Sequence, residues 1–324
     1  MPILAYDIGG TRVKAALVVS GHLSGPVARA ETARDGGPEQ LFGQIVSLGR
    51  TVRGSAHLDA AGISIRGVVD AEAGVVLALN PPLDWLVGEP MADRVANELG
   101  VPVVIENDAR MYALGELQQG AARGVANFVC LTLGTGVGCG VVVGRRLLQG
   151  PRGVGGILAG HLTVDVDGPL CTCGNLGCLE ALINAQALTA SVEAQLRAGQ
   201  VSSLRLEGLS PPYIFEAAGA GDALAVQALS RFTHVLGCGV VNVIHAYDPD
   251  LVVIGGGLSG SSSYFLPELR AYVAEHAWTQ PKGRVRIVVS ELGDAAALVG
   301  VAALATDKAF VAPAATGGRR CHDS

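Results

Sequence analysis

The chain has 324 residues, a net charge of −6, and only 16% charged residues against 49% hydrophobic ones. That length suits two domains of ordinary size. With aromatics at 4%, the core has to be built from Val, Leu, Ile and Ala. No run of Lys and Arg forms a basic stripe, which argues against nucleic acid and membrane as partners.

The opening ILAYDI reads as a strand, GGTR as its turn and VKAALVV as a second strand. This start has no basic n-region and reaches Asp7 before any long apolar core forms, so it is not a signal peptide, and the cytoplasm is the expected location. PEQLFGQIVSLGRTVRG carries apolar residues at helical spacing. Residues 61–65 and 68–69 read as strand on either side of Arg66-Gly67. PMADRVANELG reads as a helix, with Pro90 near its start and Gly100 at its end. VPVVIEND is then a strand ending in polar side chains, and ARMYALGELQQGAA the next helix.

Residues 125–144 hold no charge over twenty positions, which is spanning length. They also hold five glycines, two threonines and an asparagine, and read better as two buried strands joined by a glycine turn. FVCLTLGTGVGCGVVV therefore repeats the opening plan of strand, Gly/Thr turn and strand. Helices follow around LEALINAQALTASVEAQLRAG and GDALAVQALSRFTHVLGCGVVNVIHAY. DPDLVVIGGG is a strand running into three glycines; then come a helix, the strand RVRIVVS and a last helix near 295–306. The small, polar tail 312–324 is expected to be disordered. Alternating strands and helices predict an α/β fold, and two similar halves predict a cleft between them.

Three features carry candidate chemistry. The first is the pair of glycine turns, Asp7-Ile-Gly9-Gly10-Thr11 and Thr132-Leu-Gly134-Thr135-Gly136-Val-Gly138. Such turns let N–H groups and a hydroxyl reach phosphate oxygens, although either alone is equally a hairpin turn. Their pairing, with Asp7 available to hold Mg²⁺ directly or through water, favours a nucleotide. The second is Glu106-Asn107-Asp108 at a strand end. An Asp there can take a proton from an attacking hydroxyl, and Asn or Asp there is equally a good helix cap. The third is His161 with Cys171, Cys173 and Cys178. One imidazole and three thiolates form a complete, closed tetrahedral set for a structural Zn²⁺. Free thiols are the alternative. Of the seven cysteines, Cys130, Cys139 and Cys238 sit in apolar runs and read as plain buried residues. Glu180, carried on the cysteine loop at a helix start, is a good acceptor for ligand hydroxyls.

Taken in order, DIGGTRVKAAL, ENDA, LTLGTGVGCG, GHLTVDVDGPLCTCGNLGCLEA and VVIGGGLS resemble the ROK family of repressors and sugar kinases over nearly the whole chain. The resemblance implies an actin-like, ribonuclease-H-like two-lobed ATPase fold. Its small lobe would be residues 1–116 with a C-terminal helix near 295–308 packed back on it. Its large lobe would be 117–294, with a zinc loop at 161–180. It implies Asp108 as general base, and Asn107, Gly67, His161 and Glu180 at the sugar, with His161 also on zinc. It implies ATP on Gly9, Gly10, Thr11 and Lys14, on the Thr132 to Gly138 turn, and against Gly255, Gly256 and Gly257. It implies a homodimer. Family repressors carry a helix-turn-helix before the sugar domain, whereas this chain starts directly at ILAYDIGG.

Three positions depart from the family pattern. Leu158 stands where the sugar-binding Glu of Glu-x-Gly-His is usual, so an apolar wall replaces a carboxylate. A pocket changed in this way discriminates against a substrate whose hydroxyl would be left unpaired. The expected acceptor is therefore a modified hexose, amino sugar or cyclitol ahead of glucose. Arg66 stands in place of the proline of Pro-Gly-Pro-Val-Asp, and Arg110 follows ENDA where a small amide or acid is commoner.

Overall fold

The computed structural model describes residues 1–310; the 312–324 tail lies outside the described residues. Strands β1 (Pro2–Ile8), β2 (Arg12–Val19), β3 (His22–Leu23) and β4 (Ala28–Glu31) lead into helix α1 (Gly37–Arg53). β5 (Ala60–Ile65), a small ribbon of β6 (Val68–Asp70) and β7 (Val75–Ala78), α2 (Met91–Leu99) and β8 (Val103–Asn107) follow. The first sheet has the order β3-β2-β1-β5-β8, with β4 also on β2. α3 (Asp108–Gln119) leads to β9 (Phe128–Leu133), β10 (Val137–Val143) and β11 (Arg146–Leu147). Then come α4 (Leu179–Ile183), α5 (Ala185–Arg197), α6 (Pro211–Gly219) and α7 (Ala223–Tyr247). β12 (Leu251–Gly255), α8 (Leu266–His276), β13 (Arg286–Val289) and α9 (Ala296–Thr306) complete the fold. The second sheet has the order β11-β10-β9-β12-β13.

The repeat suggested by the two glycine turns extends to the whole sheet plan. β1 is antiparallel to β2 and parallel to β5, which is parallel to β8. β9 is antiparallel to β10 and parallel to β12, which is parallel to β13. The uncharged run 125–144 supplies β9 and β10, as its glycines predict. Among the described residues, α7 alone is long and apolar enough to cross a membrane, and half of its most apolar window is buried in the second sheet's outer core.

Strand alternation sorts side chains into three packed layers. Leu4, Tyr6 and Ile8 of β1 face Leu41, Ile45 and Val95 on the outer side of the first sheet. Ile3 and Ala5 face inward, in one cluster with Met111, Leu298 and Val301 and with Phe128 and Cys130 of β9. Val129, Leu131 and Leu133 face outward onto α4 to α8, where Phe215, Phe232 and Phe265 pack together. α3 and α9 thus share the middle layer. They approach so closely that a β carbon on Gly115 would stand 2.0 Å from Ala296 O, and one on Gly300 1.8 Å from Met111 O.

Several expectations need correction. The single helix drawn over 179–199 is two, because Asn184 has extended backbone and caps α5 by accepting from Ala187 N at 2.7 Å. α6, which begins with two prolines, lies in a stretch to which the sequence reading assigns no element. Cys130 and Cys139 are buried, but Cys238 is half-buried, with its thiol 3.2 Å from Tyr272 Oη.

Candidate active site

Parallel pairing brings the candidate residues to one edge. Asp7 pairs with Ser64 and Ser64 with Glu106; Ile8 pairs with Ile65 and Ile65 with Asn107. The next residues along each strand, Gly9-Gly10, Arg66-Gly67 and Asp108, therefore leave the carboxyl edge of the sheet side by side, the usual place for ligand contacts in such sheets.

Asp108 opens α3. Its Oδ1 accepts from Ala109 N at 2.8 Å and from Asn107 Nδ2 at 3.2 Å. Asn107 caps the helix by accepting from Arg110 N at 3.1 Å, while its Nδ2 donates to Gly67 O at 2.9 Å. Capping and catalysis are thus not alternatives at this strand end: Asn107 caps, and Asp108 Oδ2 has no hydrogen-bond partner among the described residues. Burial pushes the Asp108 carboxyl up from 3.8 to about 6, and the negative charge of Asp7 adds to the rise. The Ala109 N–H and the Arg66 guanidinium pull against it. A carboxyl held there is poised to accept a proton near neutral pH.

On the first turn, Asp7 Oδ1 accepts from Ser64 Oγ at 3.0 Å, and Oδ2 pairs with Lys14 Nζ at 3.2 Å. Lys14 also reaches Asp294 Oδ1 at 3.3 Å, just before α9. Gly9 N donates to Arg12 O at 2.9 Å and Gly9 O accepts from Thr32 Oγ1 at 2.8 Å, which fixes the turn and leaves Thr11 exposed. On the second turn, Gly134 N donates to Gly136 O at 3.0 Å, with Thr132 half-buried and Thr135 exposed. Gly255 pairs with Thr132, and Gly256 has φ +80°, where a β carbon would stand 2.4 Å from Leu133 O. Only glycine fits so close to the neighbouring strand end. The Gly255 to Gly257 segment therefore lies directly beside the second turn. Gly138 and Gly140 face the first turn of α3: β carbons there would lie 3.0 Å from Ala109 Cβ and 2.5 Å from Ala109 O. The start of the Asp108 helix is thereby pressed against the second sheet.

Glu180 reaches the same turn, its Oε2 accepting from Val137 N at 2.8 Å. Gly160 packs on Val137, where a β carbon would be 2.0 Å from the carbonyl oxygen. Leu158 precedes it with 43% of its surface exposed, and its carbonyl accepts from His161 N at 2.9 Å. The Leu158 to His161 segment and Glu180 are thus gathered around Val137.

The His161, Cys171, Cys173 and Cys178 ligand atoms all lie within 4.8 Å of one another. Zinc bonds of about 2.3 Å to sulfur and about 2.0–2.1 Å to nitrogen give tetrahedral edges of about 3.8 Å between sulfurs and about 3.5 Å from sulfur to nitrogen. The Cys173 and Cys178 sulfurs are 3.7 Å apart, and Cys171 Sγ is 3.5 Å from His161 Nδ1. The donor set fits the ion in both chemistry and spacing. The loop has few regular bonds of its own, two isolated bridges joining Thr163 to Cys178 and Leu170 to Leu176.

Other residues around the site have roles that the sequence did not fix. Arg110 is turned into the protein: it is buried, pairs with Glu106 at 3.0 Å, and donates to Gly153 O at 2.9 Å and Gly155 O at 2.7 Å. Glu106 also accepts from Asn107 N at 2.7 Å and from Gln149 Nε2. Arg110 therefore ties the 149–155 loop to the Asp108 strand end. Tyr112 Oη accepts from Gly256 N at 3.3 Å and donates to Ser290 Oγ at 2.8 Å. Buried Glu116 accepts from Ser290 Oγ, Ala121 N and Leu292 N. The unusual charge after ENDA marks Arg110 in the sequence but not the direction of its side chain; nothing local marks Tyr112 or Glu116.

Comparison with known proteins agrees with this arrangement. The ROK family profile matches residues 3–308. The chain is 33% identical over 315 residues to a glucokinase of Thermotoga maritima, covering 95% of this chain and 98% of that one. It is also 33% identical over 247 residues to a putative xylose repressor of a Caldicellulosiruptor species, covering 75% of this chain but 61% of the repressor's length. A ROK family glucokinase from Streptomyces griseus, solved with glucose and AMPPNP, superposes with a TM-score of 0.81 at 30% identity, over 94% of this chain and 99% of that one. The profile spans both sheets and every candidate residue, and the chain belongs to the ROK family.

Proposed function

We propose that this chain is an ATP-dependent kinase of the primary hydroxyl of a hexose or hexose-like acceptor. The carrying observation is Asp108: a carboxylate with a free oxygen and a raised pKa, on the edge shared with the Gly9-Gly10 turn. The solved relative that binds glucose and AMPPNP supports the same reading. Asp108 takes the acceptor's hydroxyl proton as that oxygen bonds to the γ-phosphorus and the bond to the β-phosphate oxygen breaks, releasing ADP. Asn107 holds a neighbouring hydroxyl, beside the Gly67 carbonyl it already bonds. Phosphates lie on Gly9 to Thr11 with Lys14 and on the Thr132 to Gly138 turn, and the adenosine lies against Gly255 to Gly257. Asp7 would hold Mg²⁺, which neutralises charge on the phosphates.

His161, Cys171, Cys173 and Cys178 would hold a structural Zn²⁺ that braces the loop carrying Glu180. Coordination through His161 Nδ1 would leave Nε2 for an acceptor hydroxyl. Leu158 makes a modified sugar, amino sugar or cyclitol the preferred acceptor. The proposed division is a small lobe of 1–116 with the helix near 295–308, and a large lobe of 117–294. The protein is proposed to act as a cytoplasmic homodimer on sugar and ATP, without nucleic acid or membrane.

A second reading is a sugar-binding regulator without turnover, favoured by the match to the putative xylose repressor. The test is ADP release with Mg-ATP against glucose, mannose, fructose, their amino and N-acetyl forms and several cyclitols, with Asp108→Asn alongside. Turnover confined to modified acceptors and lost in Asp108→Asn supports the proposal. Turnover on glucose alone refutes the role given to Leu158. Silence across the panel, with wild type no better than the variant, moves the protein to the regulator reading.

A further inference from the structure

Arg66 is the first residue beyond β5, and Ile65 pairs with Asn107 on one side and Ile8 on the other. Its backbone therefore leaves the sheet between the Gly9-Gly10 turn and Asp108. The bend is fixed on both sides. Gly67 has φ +97° with a β-carbon position 2.4 Å from Ala78 O, and its carbonyl accepts from Asn107 Nδ2 at 2.9 Å. The side chain turns toward the glycines: Arg66 Nη1 is 3.1 Å from the point a β carbon on Gly10 would occupy. The guanidinium thus covers the bare backbone of the turn.

The charge makes no hydrogen bond or close ion pair there, although it lies near enough to Asp108 to favour that carboxylate. Arg66 is half-buried, and among the described residues it has neither a hydrogen-bond acceptor nor a carboxylate within 4.0 Å. Arg94, Arg110, Arg197 and Arg284 each pair with an acid. A partly desolvated cation held over a phosphate-type turn by a rigid bend is a site prepared for an anion.

We infer that Arg66 grips the phosphoryl group in transit, its planar fork meeting the γ-phosphate oxygens between the Gly9-Gly10 turn and Asp108. The inference rests on the kinase reading above. It assigns a role to the position where the family resemblance expects proline, a side chain with no charge to offer. In the reaction the guanidinium forms and breaks no covalent bond. It stabilises negative charge on the equatorial oxygens as the phosphorus passes from ADP to the acceptor oxygen, and bidentate geometry suits it better than an ammonium.

The experiment compares wild type, Arg66→Ala and Arg66→Lys by calorimetric binding of AMPPNP and of ADP, and by steady-state kinetics on any acceptor turned over. Arg66→Ala is expected to weaken AMPPNP by roughly ten- to a hundred-fold, as for a lost hydrogen bond to a charged group, and to leave ADP unchanged. Its kcat falls by about a hundredfold or more, in the direction of arginine fingers elsewhere. Added guanidinium restores part of the rate, and Arg66→Lys lies between. Equal affinities of wild type and Arg66→Ala for AMPPNP overturn the inference. So does a defect confined to the acceptor KM, which would place Arg66 on an anionic acceptor. If wild type turns over no acceptor, the kinase reading fails by itself, and the AMPPNP-against-ADP comparison still decides whether Arg66 meets a γ-phosphate.

Discussion

Replacing Asp108 by Asn should make the protein more stable while abolishing phosphoryl transfer. The carboxyl is raised from 3.8 to about 6, by burial first and by the charge of Asp7 second. A group whose folded-state pKa lies above its unfolded one holds its proton more tightly in the folded state. Folding is then unpenalised below the unfolded value, and the penalty grows as pH rises from about 4 to about 6. At about 1.4 kcal/mol per pH unit, the full penalty at pH 7 is about 3 kcal/mol. The start of α3 favours a negative charge by less than about 1 kcal/mol, which does not reverse the sign. Asn keeps the acceptor oxygen for Ala109 N and removes the charge. Thermal unfolding of both proteins without nucleotide, from pH 4 to pH 8, is the assay. Asp108→Asn should melt higher at pH 7.5 by on the order of 5 °C, with the gap closing toward pH 4. An Asn variant that gains nothing at pH 7.5 relative to pH 4.5 would refute the electrostatic account of this site.

The same carboxyl sets a rate profile: kcat/KM should fall about tenfold per pH unit below about pH 6, because protonated Asp108 cannot act as base. An acid limb unmoved from the ordinary carboxylate range would remove it from that role. Arg110→Ala leaves Glu106 buried without its partner and should destabilise by about 3–5 kcal/mol in chemical denaturation; a loss under about 1 kcal/mol would show that the 149–155 loop does not depend on the pair. Metal analysis should find about one Zn²⁺ per chain, lost in Cys173→Ser together with thermal stability; a folded, active, metal-free protein would defeat the bracing role. Leu158→Glu should shift kcat/KM toward glucose relative to other acceptors, and an unchanged ranking would show that another residue sets specificity.

Much of the fold was legible because its strands are short apolar runs that end abruptly in Gly, Thr, Asn or Asp. β1, β8, β9 and β12 end in or run straight into such residues, β5 being the exception with Arg66, and parallel register then lines the strand ends up without further information. Periodicity could not locate the break at Asn184, where one side chain chooses capping over helix continuation. It could not find α6, whose prolines occupy first-turn positions that look the same as loop positions in one dimension. The surroundings of the site were less legible than the strand ends. Where the Arg66 and Arg110 side chains go depends on groups that local pattern does not reveal: Arg110 finds Glu106 one helical turn back and the carbonyls of Gly153 and Gly155 far along the chain, and Arg66 finds no hydrogen-bond or ion-pair partner among the described residues. Buried Glu116 and Tyr112 are likewise defined by a loop more than 170 residues downstream.

The placement of α9 bears on how the chain emerges from a ribosome. The strands of the first sheet are made first, yet their inner face, with Ile3, Ala5 and Ala60, is covered by Leu298, Val301 and Ala302, made last. No intermediate helix substitutes, because Gly62 admits Val301 Cγ2 to within 2.7 Å of its β-carbon position and α3 occupies the other flank of the same layer. Through most of translation that apolar face stays open, a stage at which nascent chains rely on chaperones or aggregate. Ribosome-stalled chains ending before residue 296 should be protease-sensitive across the first sheet, and those extended past residue 306 with room to clear the exit tunnel should be protected.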